Sequence, residues 1–145
     1  MGGDNGRLCY GEGRHVGHRH FTARGIRPAF SFGSGLGYGD VRLIDARLED
    51  QDGSGTRIAV MVSNQAPRDT LALVQAYRDD GALAGFARAP VAAGATAQLT
   101  IDIHPSALRQ WTHEGWSRLQ PRLHIGLCAE DRTFTINPSR TMAGD

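Results

Sequence analysis

The sequence predicts an all-β fold, an antiparallel β-sandwich preceded by an irregular Gly-rich strap. Three observations predict it. Residues 97–103 alternate strictly, with Ala97, Leu99, Ile101 and Ile103 facing one way and Gln98, Thr100 and Asp102 the other, the period of a half-buried strand. Clusters rich in Gly, Asp and Ala separate successive apolar runs, as turns separate strands. Only residues 105–111 have a helical composition, for one or two turns. Strands joined by turns, with almost no helix, pack as two sheets.

Residues 1–39 hold more than half of the chain's 19 glycines, interleaved with Arg and His. So much Gly opposes a stable isolated helix or strand. The segment nevertheless carries Tyr10, Val16, Phe21, Ile26, Phe30, Phe32, Leu36 and Tyr38. That is too many large apolar groups for a flexible linker, so it is expected to be a strap that packs against something. The sandwich is expected over 40–138 and a tail over 139–145.

Strands are expected at 41–49, 57–63, 70–77, 97–103, 123–129 and 133–136. The second, with β-branched Ile58, Val60 and Val62, is near-continuously apolar and reads as a strand covered on both faces. In the fifth, Leu123, Ile125, Leu127 and Ala129 should point inward. Asp52-Gly53-Ser54-Gly55, Asp79-Asp80-Gly81, Ala92-Ala93-Gly94 and Asp131-Arg132 are the expected turns.

The 145 residues make one domain of ordinary size, far below the roughly 250 residues of a TIM barrel. The longest aliphatic run, 58–62, is far short of the about 20 residues of a membrane helix. Sixteen basic and 15 acidic residues give a net charge of +1, which removes the electrostatic case for nucleic acid or an anionic membrane as partner. No apolar signal core opens the sequence, so the default expectation is the cytoplasm. Cys9 and Cys128 are too few for a disulfide framework.

No motif brings chemistry with it. His15, His18 and His20 have a spacing that could hold zinc or nickel. No cysteine or carboxylate has a matching spacing, and Glu12 is the only acid nearby, so no metal site is expected. The run Phe32-Gly33-Ser34-Gly35-Leu36-Gly37-Tyr38-Gly39 lacks the Gly-Lys-Ser/Thr ending of a phosphate loop. It also leads into a strand, where no helix dipole awaits an anion. There is no G-x-S-x-G elbow, and Cys9 reads as a plain thiol. Asp45, Glu49, Asp50 and Asp52 read as solvated charges rather than a hydrolytic pair. Neither a catalytic residue nor a cofactor is expected. Trp111 and Trp116 flank Thr112-His113-Glu114-Gly115. They are expected chiefly to cap one end of the core, with stacking on sugar rings, aided by Tyr77, as the alternative.

Read in order, the residues resemble one family. The strap contains Tyr10-Gly11-Glu12-Gly13, Val16-Gly17-His18-Arg19 and Gly25-Ile26-Arg27-Pro28-Ala29-Phe30-Ser31-Phe32-Gly33-Ser34-Gly35-Leu36-Gly37-Tyr38. This is similar to the Y-x-E-G-x-x-V-G-Y-R … G-I-x-P-L-F-P-F-G-H-G-L-S-Y stretch of family 3 glycoside hydrolases, the β-glucosidase and β-xylosidase group. There the stretch leads into a C-terminal fibronectin type III-like domain. Val62-Ser63-Asn64, Val74-Gln75-Ala76-Tyr77, Leu83-Ala84-Gly85-Phe86-Ala87-Arg88, Gly94, Trp116 and Pro121 continue the resemblance to about residue 137. His18, Ser34, Gly37, Ala66 and Arg122 depart from the pattern, at the strap's contacts and at two turns.

The resemblance implies an immunoglobulin/fibronectin III-like β-sandwich. It also implies a catalytic Asp in a barrel domain and an acid/base carboxylate in a second domain, and 145 residues leave room for neither. No residue here inherits a catalytic role, and Glu12 is expected to pair with Arg14 or Arg19. The implied function is a non-catalytic accessory module that braces catalytic domains. Tyr10, Glu12, Arg19, Phe30, Phe32, Leu36 and Tyr38 would serve interdomain packing. Expected partners are those catalytic domains, or a second copy through the strap. The alternative is a stand-alone carbohydrate- or protein-binding module using Trp111 and Trp116, and an independent metal-dependent enzyme ranks last.

Overall fold

Two antiparallel sheets face each other across one core. The computed structural model describes residues 10–52, 55–129, 131 and 133–137. Cys9 and the rest of 1–9, Gly53-Ser54 of the first turn, Arg132 of the last, and the tail at 139–145 lie outside the described residues.

The strands are β1 (Val41–Asp52), β2 (Gly55–Asn64), β3 (Thr70–Arg78), β4 (Leu83–Val91), β5 (Thr96–Ile103), β6 (Arg109–Thr112), β7 (Gly115–Arg118), β8 (Leu123–Gly126) and β9 (Phe134–Ile136). They form a three-stranded sheet in the order β1-β2-β5 and a four-stranded sheet in the order β4-β3-β8-β9. The hairpin β6-β7 stands apart as a two-stranded sheet. The chain changes sheet between β2 and β3, between β4 and β5, and on the way to β8. This is the crossing pattern of an immunoglobulin-like sandwich, so the all-β, antiparallel fold expected from the sequence is the fold found. No helix of the described residues is long and apolar enough to cross a membrane.

The core follows from the alternation. Ile58, Val60 and Val62 of β2 and Leu99, Ile101 and Ile103 of β5 meet Ala72, Val74 and Ala76 of β3 and Leu123 and Ile125 of β8. In β5 the polar set faces solvent, as its period requires. The small residues of β3 leave room for the branched side chains opposite. Gly85 of β4 does the same at closest range, because a Cβ there would lie 2.9 Å from Ile101 and 3.1 Å from Ile103.

Four local expectations need correction. Residues 105–111 are not one helix: a single 3-10 turn, η1 (Pro105–Leu108), ends where Leu108 enters the core, and the chain continues extended as β6. The fifth strand stops at Gly126, although Ala129 is still buried. β4 falls where no strand is expected; its Gly85 and Pro90 have poor strand propensity, and it is an edge strand, where Pro is tolerated. The strap is not wholly irregular: α1 (His18–Arg24) is a helix of 7 residues flanked by Gly17 and Gly25. Gly25 takes the left-handed conformation that closes a helix C-terminus.

Asn64, at the end of β2, is fully buried and ties the strap's end to two turns. Its Nδ2 donates to the carbonyls of Arg68 (2.7 Å), Ala92 (3.2 Å) and Val91 (3.3 Å). Its Oδ1 accepts from the N–H of Ala66 (3.1 Å) and Asp40 (3.3 Å). Removing the amide would leave buried and part-buried backbone groups of three segments without their partner at once. Asn64→Ala should therefore cost about 3 kcal/mol of stability, read as a lowered denaturant midpoint with an unchanged slope.

Candidate docking surface

The strap lies on the outward face of β3. Side chains on the outer face of a sheet are ordinarily wet, yet Tyr77 is fully buried and Gln75 nearly so. The strap covers them. The Tyr77 hydroxyl donates to Gln75 Oε1, with the Phe32 carbonyl 3.4 Å away. The same carbonyl accepts the Ala129 N–H at 2.9 Å. The His18 ring stacks on Phe32, centroids 4.1 Å apart, and meets Tyr77 edge-on at 6.2 Å. His18 Nε2–H donates to the Gly81 carbonyl at 2.9 Å. Gly33 must be glycine, because its φ is +82° and a Cβ would overlap the Gln75 amide at 2.2 Å.

An ionic knot secures the helix end of the strap. Arg19 Nη2 reaches Asp80 Oδ2 at 2.8 Å, and Arg78 holds the same carboxylate at 2.6 and 3.0 Å. Arg78 also donates to the carbonyls of Ala107 (2.8 Å) and Arg109 (3.3 Å), which ties η1 and the hairpin base into the knot. Partial burial by itself pushes the Asp80 carboxyl up. The Arg78 hydrogen bonds, the Ala82 N–H and the charges of Arg78 and Arg19 outweigh it and hold the pKa at about 2. Next to it, Asp79 accepts from His124 Nε2 at 2.9 Å and from the Arg122 N–H at 3.0 Å. Its pKa too is lowered, against the opposing pull of burial, by those bonds and the neighbouring charges.

The residues expected to pack between domains divide into two groups. Arg19, through Asp80, and Phe32, through its stack on His18 and its carbonyl, fasten the strap, although Phe32 keeps 44% of its surface exposed. Arg19 is paired with Asp80, not with Glu12, which is exposed. Phe30 is 84% exposed, Tyr38 87%, Tyr10 77%, and Leu36 entirely so. Val16 and Ile26, also in the strap, are about half exposed. Arg68 lies over the Tyr38 ring at 6.0 Å. Large apolar side chains left exposed in this number are the raw material of a contact surface where they lie together.

Tyr77 is no glycan contact, since it is buried beneath the strap. Trp111 and Trp116 do not cap the core. They are 64% and 66% exposed and pair across the β6-β7 hairpin with centroids 5.5 Å apart. The hairpin projects from the sandwich and so carries both rings away from its interior. His18 is engaged by Phe32 and Gly81, and no group of three or more metal-ligating side chains converges among the described residues. Asp45, Glu49 and Asp50 lie exposed along β1. Asp80, Arg78 and Gln75 are the site residues that the local pattern did not single out. Arg19 and Asp80 are 61 positions apart, and Asp79-Asp80-Gly81 reads only as a turn.

No family model matches the chain. It is 33% identical over 117 residues to a β-glucosidase of Rhizobium radiobacter, covering 73% of this chain and 14% of that protein. It is 26% identical over 147 residues to an exo-α-(1→6)-L-arabinopyranosidase of Bifidobacterium longum, covering 92% of this chain and 19% of that protein. The chain thus spans less than a fifth of these relatives. A β-glucosidase from Streptomyces venezuelae, solved with D-glucose, superposes with a TM-score of 0.78 at 26% identity over 87% of this chain and 18% of that one. The fold is shared with a Bifidobacterium adolescentis GH3 β-glucosidase, TM-score 0.79 at 23% identity over 92% of this chain and 22% of that one.

An Asp with a folded pKa near 2 contributes stability that is complete above its unfolded value of about 4. That contribution is lost as the pH falls through the folded value. Stability measured by denaturant titration should therefore decline between about pH 4 and pH 2. Asp80→Asn should remove this part of the decline and cost about 2 kcal/mol at neutral pH.

Proposed function

Because the chain corresponds to the C-terminal, fibronectin type III-like part of family 3 glycoside hydrolases, we propose that it is a non-catalytic module that braces the catalytic domains of such an enzyme. The observation that carries this is the split within the strap. His18, Arg19 and Phe32 hold it to the sandwich, while Tyr10, Phe30, Leu36 and Tyr38 are held out to solvent. A segment fixed on one side and apolar on the other is shaped to bury its free side against a neighbour. The catalytic work would belong to that neighbour. In this chain Asp79 and Asp80 lie side by side but are each engaged by Arg or His, which leaves them poor proton donors. The specificity of the assembled enzyme would be set outside this module.

The exposed Trp111–Trp116 pair favours a second reading, a carbohydrate-binding module.

Analytical ultracentrifugation tests the first reading. The isolated chain should self-associate through the strap, since no neighbour covers it. It should also bind a family 3 β-glucosidase truncated before its own equivalent segment. The double substitution Leu36→Ser/Tyr38→Ser should weaken both by about tenfold, the effect of losing two exposed anchors, with the melting temperature unchanged. A strictly monomeric chain that ignores the truncated enzyme would contradict the proposal, as would hydrolysis of an aryl β-glucoside by the chain alone.

A further inference from the structure

The β6-β7 hairpin has one face made of four side chains. In the register, Arg109 pairs with Arg118 and Trp111 with Trp116. The alternation of a strand puts all four on the same side, and all four are exposed. Gln110, Thr112 and Ser117 fall on the other side. The hairpin's only carboxylate, Glu114, sits in the turn beside His113 at 3.5 Å.

The tryptophan pair serves the hairpin itself, since aromatic cross-strand pairs stabilise hairpins. The arginine pair does not. Like charges placed opposite each other destabilise a ladder, and neither Arg109 nor Arg118 forms an ion pair among the described residues. The hairpin does not need the pair to hold its shape. The Thr112 hydroxyl donates to the Gly115 carbonyl at 3.0 Å and accepts from the Glu114 N–H at 3.3 Å. At the base, the Leu119 N–H donates to the Leu108 carbonyl at 2.7 Å. Two guanidiniums carried by directly paired residues, with no ion pair among the described residues, can close on one carboxylate with charge-assisted bonds. Next to them, indole faces offer the apolar platform on which a ring stacks.

We propose that this face binds an acidic glycan: a uronate carboxylate sits between Arg109 and Arg118, and neighbouring pyranose rings pack on Trp111 and Trp116. The acidic character follows from the two arginines. The choice of a sugar rests on the relationship to glycoside hydrolases. The strap takes no part, so docking and glycan binding can fail independently.

The chain's two tryptophans are both in this hairpin, so intrinsic fluorescence of the full chain reads the site directly. Titration with tetragalacturonate should give a saturable change that high salt weakens. Cellotetraose, neutral and of equal length, should bind about tenfold more weakly, as expected for loss of the charge-assisted contacts. Arg109→Gln/Arg118→Gln should weaken the acidic oligosaccharide by a similar factor and leave the melting temperature equal or higher, because a repulsion is removed. Trp116→Ala, followed by calorimetry, should weaken both sugars. Equal affinity for the two sugars, unchanged binding in the double Gln variant, or the lack of any saturable response would overturn the proposal. So would a lower melting temperature in that variant, or tighter binding of a short single-stranded DNA.

Discussion

Tyr77 is the side chain on which the rest of this molecule depends. It sits on the outward face of β3, where a sandwich alone would leave it wet, and it is fully buried. Burying such a ring is worth on the order of 2–3 kcal/mol, provided that its hydroxyl is satisfied. Gln75 and the Phe32 carbonyl meet that condition. The strap must therefore run at one height over β3, with Gly33 against Gln75 because no side chain fits there. His18 follows Phe32, Arg19 follows His18, and Asp80 is where Arg19 finds its charge partner.

That arrangement determines what the outer surface looks like. With the His18 ring stacked on Phe32 and edge-on to Tyr77, Phe30, Leu36 and Tyr38 are left largely exposed. The sandwich completes its own core without them. The strap is thus a two-sided element, its inner side fastened over β3 and its outer side apolar and exposed. The tryptophan hairpin is a separate matter, rooted at η1 through Arg78 and Leu119 and outside both main sheets. One fold so presents two surfaces of different chemistry, the strap row apolar and the hairpin face aromatic and cationic.

How much of this could be read in the sequence depended on the range of the interaction. The alternation of residues 97–103 and the branched run at 58–62 report burial directly, and β5 and β2 lie where they predict. β4 was hidden because Gly85 is required by Ile101 in the opposite sheet, a need that no local window contains. Residues 105–111 look helical because Ala107, Leu108, Arg109 and Gln110 favour helix. Burial of Leu108 and the Trp111–Trp116 pairing override that preference. The apolar strap residues were legible as a set. Which of them face inward was not, because Tyr77, Gln75 and Asp80, which make the choice, lie more than 40 positions downstream. The same distance hides Asp80 from Arg19, so that a local window offers Glu12 as the acid for Arg14 or Arg19.

Amide hydrogen exchange on the full chain tests the central claim that the strap is clamped over Tyr77. The Ala129 N–H donates to the Phe32 carbonyl at 2.9 Å and lies beyond the end of β8 at Gly126. If the clamp holds, this amide exchanges as slowly as those of β3, and Asp80→Ala accelerates it together with the amides of α1. An Ala129 amide that exchanges at the rate of an exposed loop while β3 stays protected would contradict the account, because the strap would then be loose over a sandwich that does not need it.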